Sequence, residues 1–252
     1  MTDDAHPATA PRVAATLLLV RDDPYEVLMV RRSERASFAS ALVFPGGVVE
    51  PGDSSDGWAP FLDAAARRLE PEERARRIAA IRETWEETGL LLARTATGEF
   101  VSPGTALRGA PVLEALEATA GRLALADVHP FGHWVTPAHN PKRWDTHFYV
   151  ARAPTDQTAH ADGSETVATR WVDPAHAQAT AVTAREHIIF PTLMNLARLA
   201  ETTTVLDALD EADRRPHFEV NPEHRTTPEG VHLITIPVEA GYALTEYAVD
   251  ND

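Results

Sequence analysis

The chain has 252 residues and a formal net charge of −15 at pH 7, with 38 acidic against 23 basic side chains and no cysteine. That length suffices for one large domain with a full core, while the negative balance argues against nucleic acid or an anionic membrane as the main partner. Disulfides, zinc–thiolate sites and thiol catalysis are excluded, and no run approaches the 18 or so apolar residues of a membrane span, so a soluble cytoplasmic protein is expected.

In chain order, residues 1–11 carry acids and prolines without an apolar core and are expected to be a flexible N-terminus. Residues 13–20 and 26–32 are apolar and strand-like, and Arg21-Asp22-Asp23-Pro24 between them reads as a hairpin turn. An irregular loop over 33–53 follows. Residues 61–69 and 72–88 read as helices broken near Pro71, and 111–122 as a helix with Pro111 in its first turn. Strands are expected over 131–136, 146–152, 166–172 and 231–236, with helix over 191–213 interrupted at Thr202-Thr203-Thr204. The order predicts an α/β (mixed α+β) chain, and residues 1–11 and a tail over 243–252 are expected to flank a single domain over 12–242.

The run Arg82-Glu83-Thr84-Trp85-Glu86-Glu87-Thr88-Gly89 closes the second helix. At 100° per residue, Glu86 lies about 60° to one side of Glu83 and Glu87 about 40° to the other, so the three carboxylates share one narrow face. Like charges at these spacings cost roughly 0.2–0.5 kcal/mol each, and acids near a helix C-terminus oppose its dipole. Such a conflict is tolerable on a solvated face with Arg82 paired to Glu86, but it is also how a helix holds a divalent cation. Upstream, Phe44-Pro45-Gly46-Gly47 and Gly52-Asp53 form a glycine-rich loop where backbone can approach a ligand closely.

Together these segments resemble the Nudix box, G-x5-E-x7-R-E-U-x-E-E-x-G-U, with U aliphatic. Gly47 is its first glycine; Asp53 stands where the pattern has Glu, Thr84 replaces an aliphatic residue, and 28 residues (54–81) separate Asp53 from Arg82 where the family has 7. The resemblance implies a Nudix fold, an α/β/α sandwich around a mixed sheet, with a helical insert over 54–77 and a helical and strand extension over 190–242. The excursion would build a homodimer contact or a lid. The resemblance further implies Glu83, Glu86 and Glu87 as ligands of Mg²⁺ or Mn²⁺, with the Gly46 backbone carbonyl a fourth. Glu83 is favoured as general base and Arg82 orients the acids. The implied activity is hydrolysis of a phosphoanhydride in a small-molecule nucleoside diphosphate derivative.

The interrupted box, Trp134-Val135-Thr136-Pro137, the run from Pro141 to Tyr149 and Phe190-Pro191-Thr192 resemble the branch related to peroxisomal coenzyme A diphosphatases. A second pattern of that branch is met in part by Leu28, Arg32, Ser33 and Phe44 to Gly47. Coenzyme A or an acyl derivative is therefore the expected substrate, with ADP-ribose or NADH as alternatives. A Nudix-like binding module without turnover is the alternative of another class, which retention of all three glutamates disfavours. Arg32, Gly47, Lys142 and Arg143 are expected to bind substrate, Asp145 to position Arg143, and Glu165 to serve as an extra ligand or base. Trp134, Trp144, Trp171 and Phe148 could stack on adenine, though strand aromatics more often pack in the core. His129 and His133 have ligand-like spacing, without an acid pattern to complete a zinc site.

Overall fold

The computed structural model describes residues 9–34, 39–182 and 187–249. Most of the expected N-terminal segment and the last three residues of the expected tail lie outside that range. The strands and helices are β1 (Arg12–Arg21), β2 (Glu26–Arg32), β3 (Leu42–Val43), β4 (Gly46–Val48), α1 (Pro71–Thr88), β5 (Ala93–Arg94), α2 (Val112–Thr119), β6 (Arg122–Leu123), β7 (His129–Val135), β8 (Trp144–Arg152) and β9 (Thr166–Val172). There follow α3 (Pro174–Val182), α4 (Phe190–Leu199), α5 (Val205–Arg214), β10 (Glu219–Val220), β11 (Glu223–Thr226), β12 (His232–Thr235) and β13 (Glu246–Val249).

β1 is the axis of a mixed eight-stranded sheet in the order β10-β7-β8-β1-β2-β3, with β4 also paired to β1 and β9 to β2. It runs parallel to β8 from Arg12↔Trp144 to Val20↔Arg152. On its other edge it is antiparallel first to β4 and then to β2. Leu17, Leu18, Leu19 and Val20 are all fully buried, which explains why β1 is continuously apolar: both faces are covered. Strand alternation sends Leu17, Leu19 and Leu28 into a core shared with Ile78, Ile81 and Trp85 of α1. It sends Leu18, Val20, Val27 and Met29 into a second core with Leu196, Leu199 and Ala208 of α4 and α5. The architecture is therefore helices on both faces of a mixed sheet.

α1 starts with Pro71 at its first position and Glu72 and Glu73 in its first turn, and it stops at Gly89, whose left-handed φ of 68° suits glycine. α4 and α5 divide where the threonine run falls, with the Thr204 side chain accepting from the Asp207 amide as N-cap of α5.

Three expectations need correction. Residues 61–69 are not an α-helix: the stretch before α1 holds short 3-10 turns at Pro51–Ser54, Asp56–Phe61 and Ala66–Arg68. Pro60 lacks a donor, Asp63 Oδ1 accepts the Ala66 amide at 2.7 Å, and Arg67 claims the carbonyls of Ala59 and Leu62, so side chains take the groups a helix would use. Trp58, Leu62 and Ala66 still pack into the α1 core. The insert expected over 54–77 is not a helical excursion throughout: its last residues, 71–77, are the first turns of α1, as the helix expected over 72–88 has them. The tail expectation also fails over Glu246–Val249, which pairs with β12 as β13.

Candidate active site

The C-terminal turns of α1 lie against β4. The Gly46 amide donates to Glu87 Oε2 at 3.0 Å, and Arg82 Nη2 donates to the Val48 carbonyl at 3.0 Å, so loop and helix form one unit despite the residues between them. A Cβ at Gly46 would lie 2.5 Å from the Ala15 carbonyl oxygen, and one at Gly47 would lie 2.3–2.5 Å from the Glu83 carboxylate. Both glycines are thus set by space: one lets β4 close onto β1, and the other leaves room for an acid.

Arg82 organises the acids. Its Nε and Nη2 donate to the two oxygens of Asp53 at 2.8 and 3.0 Å, and its Nη1 reaches Glu83 Oε1 at 2.8 Å and Glu86 Oε2 at 3.1 Å. Asp53 is 2 % exposed and also accepts the Glu50 amide at 2.7 Å. The shorter acid is therefore a bidentate anchor tying the loop to α1. Burial works against the Arg82 charge, yet the hydrogen bonds it donates to Asp53 and the charges of Glu83 and Asp53 hold its pKa above the ordinary range.

Burial raises the pKa of all three glutamates, opposed by Arg82 at Glu83 and Glu86. Glu87 is pushed furthest, to about 8, against the opposing Gly46 amide and Arg32. Repulsion among Glu83, Glu86, Glu87 and Glu165 adds to the rise. Arg82 engages one oxygen each of Glu83 and Glu86. Among the described residues no hydrogen bond reaches the other oxygen of either. A cluster of hard oxygen donors, each made costly to ionise by burial and its neighbours, fits Mg²⁺ or Mn²⁺.

The glutamates open into a cavity of about 1090 Å³. Arg32, Glu83, Glu86, Glu87 and Glu165 line it on the polar side; Phe148, Ile189 and Phe190 contribute apolar surface. Arg32 Nη1 lies 3.4 Å from Glu87 and Nη2 3.9 Å from Glu165, bridging the two acids, while its buried Nε has no partner. Glu165 is held in place by a turn in which Asp162 accepts the amides of Ser164, Glu165 and Thr166, and Thr166 Oγ1 donates to the Glu87 carbonyl. Hydrogen bonds from the Ser164 and Thr166 side chains first, and then from the Glu165 and Thr166 amides, hold the Asp162 pKa low despite the opposing effect of burial. Lys142 also lines the cavity, as does Arg12, which sequence reasoning missed: its guanidinium lies 5.3 Å from the Trp144 ring centre.

Several expected site residues lie elsewhere. Arg143 does not line the cavity and donates to the carbonyls of Thr136 and Thr9 at 3.1 and 2.9 Å. Asp145 does not position it but contacts His133 and His147. Lys142 lies in a bend and Arg143 just before β8, and of the two only Lys142 lines the cavity. Trp134 reaches the cavity wall but is a buried core residue, edge-on to Phe190 and Tyr242 and hydrogen-bonded to the latter. Trp171 lies under the Arg21 guanidinium. Of the four aromatics, Trp144 is the half-buried one at the cavity. His129 pairs with Asp213 at 2.7 Å.

Residues 10–193 match the family model described as NUDIX domain. The chain belongs to the Nudix family. Its relatives include the acyl-coenzyme A diphosphatases NUDT19 of Homo sapiens, 27% identical with 73% of this chain and 62% of that protein covered, and of Gallus gallus, 29% identical with 66% and 62% covered. A putative nudix hydrolase 7 of Caenorhabditis elegans is 27% identical, with 75% and 61% covered. The chain thus spans about three fifths of the length of these curated relatives. Among solved structures, a Nudix hydrolase from Alicyclobacillus acidocaldarius superposes with a TM-score of 0.66 at 26% identity, covering 80% of this chain and 96% of that one.

Proposed function

We propose that this Nudix chain hydrolyses the phosphoanhydride of a nucleoside diphosphate derivative with a divalent cation, and that coenzyme A or an acyl-coenzyme A is its preferred substrate. One observation carries the reading: Glu83, Glu86 and Glu87 share one helix end, the first two held by Arg82 and the third by the Gly46 amide and Arg32, and they open into a cavity that also carries cationic side chains and apolar surface. Glu83, Glu86, Glu87 and the Gly46 carbonyl would hold Mg²⁺ or Mn²⁺, with Glu165 as a further oxygen donor. When bound, the ion neutralises the diphosphate and makes an attacking water more acidic.

The chain's own residues supply positioning and proton transfer. Glu83 is the general base, the role that the resemblance of the box implies for it. Arg82 fixes the Glu83 and Glu86 carboxylates from one guanidinium, and Asp53 fixes Arg82. Arg32, with an unused buried Nε, donates to a substrate phosphate, while Lys142 and Arg12 are the cations available for a 3′-phosphate. Trp144 offers a face for the adenine, and Phe148, Ile189 and Phe190 offer apolar surface for the acyl end.

The support for a coenzyme A substrate is the activity for which the NUDT19 relatives are named together with this mixture of cationic and apolar lining. A panel of coenzyme A, acyl-coenzyme A, dephospho-coenzyme A, ADP-ribose and NADH, assayed with Mg²⁺ and product identification, tests it. The expected products are 3′,5′-ADP and the 4′-phosphopantetheine portion, with loss of the 3′-phosphate costing tenfold or more through one charged hydrogen bond of about 1.5–3 kcal/mol. Faster turnover of ADP-ribose or NADH than of every coenzyme A ester would overturn the substrate assignment while leaving the metal site standing.

A further inference from the structure

The sheet face turned towards α1 carries a second group of ligand-type side chains that the proposed reaction does not use. His133 on β7 stands directly opposite His147 on β8, and Asp145, two residues before His147, projects from the same face. The imidazoles stack with centres 4.1 Å apart and 16° between planes. Asp145 Oδ1 lies 2.6 Å from His133 Nε2 and 3.3 Å from His147 Nε2, and one ligand atom from each residue falls within 4.8 Å of the others. None of the three lines the cavity, whereas Trp144, Thr146 and Phe148, which alternate with them on β8, do. The sheet therefore separates this group from the cavity.

We propose that His133, Asp145 and His147 form a second divalent-metal site that takes a borderline transition ion, Zn²⁺ in the first instance. Two imidazole nitrogens and one carboxylate oxygen suit such an ion and suit Mg²⁺ poorly, so the two sites differ in donor chemistry as well as place. Tetrahedral Zn²⁺ with bonds of about 2.0–2.1 Å sets its ligand atoms about 3.3 Å apart. The Asp145–His147 separation already has that value. The His133–Asp145 contact must open and the widest pair close, which side-chain torsions on neighbouring strands can supply. Side chains 18–26% exposed leave an entry path and a fourth position for water.

The surroundings of His147 disfavour its protonated form. Burial first, then His133 and Arg76, lower the His147 pKa to about 4, so no proton need be displaced there at neutral pH. Arg76 brings a positive charge to the group, but it is paired with Glu73 at 3.1 Å. An ion bridging β7 and β8 would pin the hairpin whose loop, residues 136–143, carries Lys142 to the cavity on the other side of the sheet.

The test is equilibrium dialysis of untagged, metal-stripped protein against Zn²⁺ in excess Mg²⁺, for the wild type and for a Glu86→Gln/Glu87→Gln variant lacking helix-end ligands. One Zn²⁺ per chain should bind to both, with Co²⁺ in its place giving the intense visible absorption of a tetrahedral site. His133→Gln and His147→Ala should each weaken Zn²⁺ binding at least tenfold while Mg²⁺-dependent turnover persists. No Zn²⁺ retained by the wild type would overturn the proposal, and so would Zn²⁺ that disappears with the helix-end glutamates. Unchanged affinity in folded His133→Gln and His147→Ala, placing the ion on other histidines, would equally contradict it. Retention is read on the wild type without any variant, and the place of the ion is read on variants shown by circular dichroism to be folded.

Discussion

Gly47 has no side chain because the Glu83 carboxylate fills the space a Cβ would need, at 2.3–2.5 Å. That carboxylate ends a flexible side chain, so Gly47→Ala should displace the acid and leave the fold in place. The expected result is a fall in kcat on the order of 10²-fold, with melting temperature changed by no more than a degree or two. A comparable loss of stability would mean that the glycine serves the sheet instead. Asp53 poses the complementary case, since it departs from the family's Glu and yet makes both hydrogen bonds that Arg82 needs. Asp53→Ala leaves Arg82 with Glu83, Glu86 and the Val48 carbonyl, and should cost about 1.5–3 kcal/mol of stability together with much of the activity. An Asp53→Ala protein as stable and active as wild type would remove the anchor role.

At the scale of the element, the end of α1 couples pH to metal. Without an ion, Glu87 has a folded pKa of about 8 against an ordinary 4.5. Its protonated form therefore favours the fold: that contribution is present in full below about pH 4.5 and is lost as pH rises through about 8. Metal ligation requires the ionised form and reverses the sign. In chelator, melting temperature should decline between pH 5 and 8 more steeply in wild type than in Glu87→Gln, and Mg²⁺ should raise it most at the upper end. Equal slopes in the two proteins would contradict the assignment. The helix itself was legible in the sequence, because Pro71, the apolar stripe and Gly89 agree. The 3-10 turns before it were not, since their burial of Trp58, Leu62 and Ala66 mimics helical spacing while Pro60, Asp63 and Arg67 break the hydrogen-bond ladder. α3 escaped notice for the opposite reason: its alternation of alanine with small polar residues gives no apolar stripe.

For the whole molecule, the sheet and the carboxylate cluster could be read from periodicity and spacing, because burial on two faces and convergence on one helix face leave local marks. The cavity could not, because it is assembled across the chain. Arg12 at the start of β1, Glu165 before β9, Ile189 and Phe190 at the start of α4, and His224 and Ile234 beyond residue 193 meet there only through β1∥β8 pairing and packing of α4 on the sheet. The structure places Arg143 and Asp145 away from the cavity for the same reason, as the approach of the 136–143 loop and the pairing of β8 with β7 are set by a register that sequence alone does not supply. No helix among the described residues is long and apolar enough to cross a membrane.

The central claim, that the helix-end glutamates hold the cation which permits phosphoanhydride hydrolysis, is tested most directly by the initial rate of acyl-coenzyme A cleavage for wild type and Glu86→Gln, each with chelator and with Mg²⁺. Glu86 is half exposed, so its substitution should spare the fold. The account predicts no turnover in chelator, recovery with Mg²⁺ in wild type, and a kcat lower by a factor on the order of 10² or more in Glu86→Gln at every Mg²⁺ concentration. Turnover that survives chelator, or a Glu86→Gln enzyme with near-normal kcat, would contradict it.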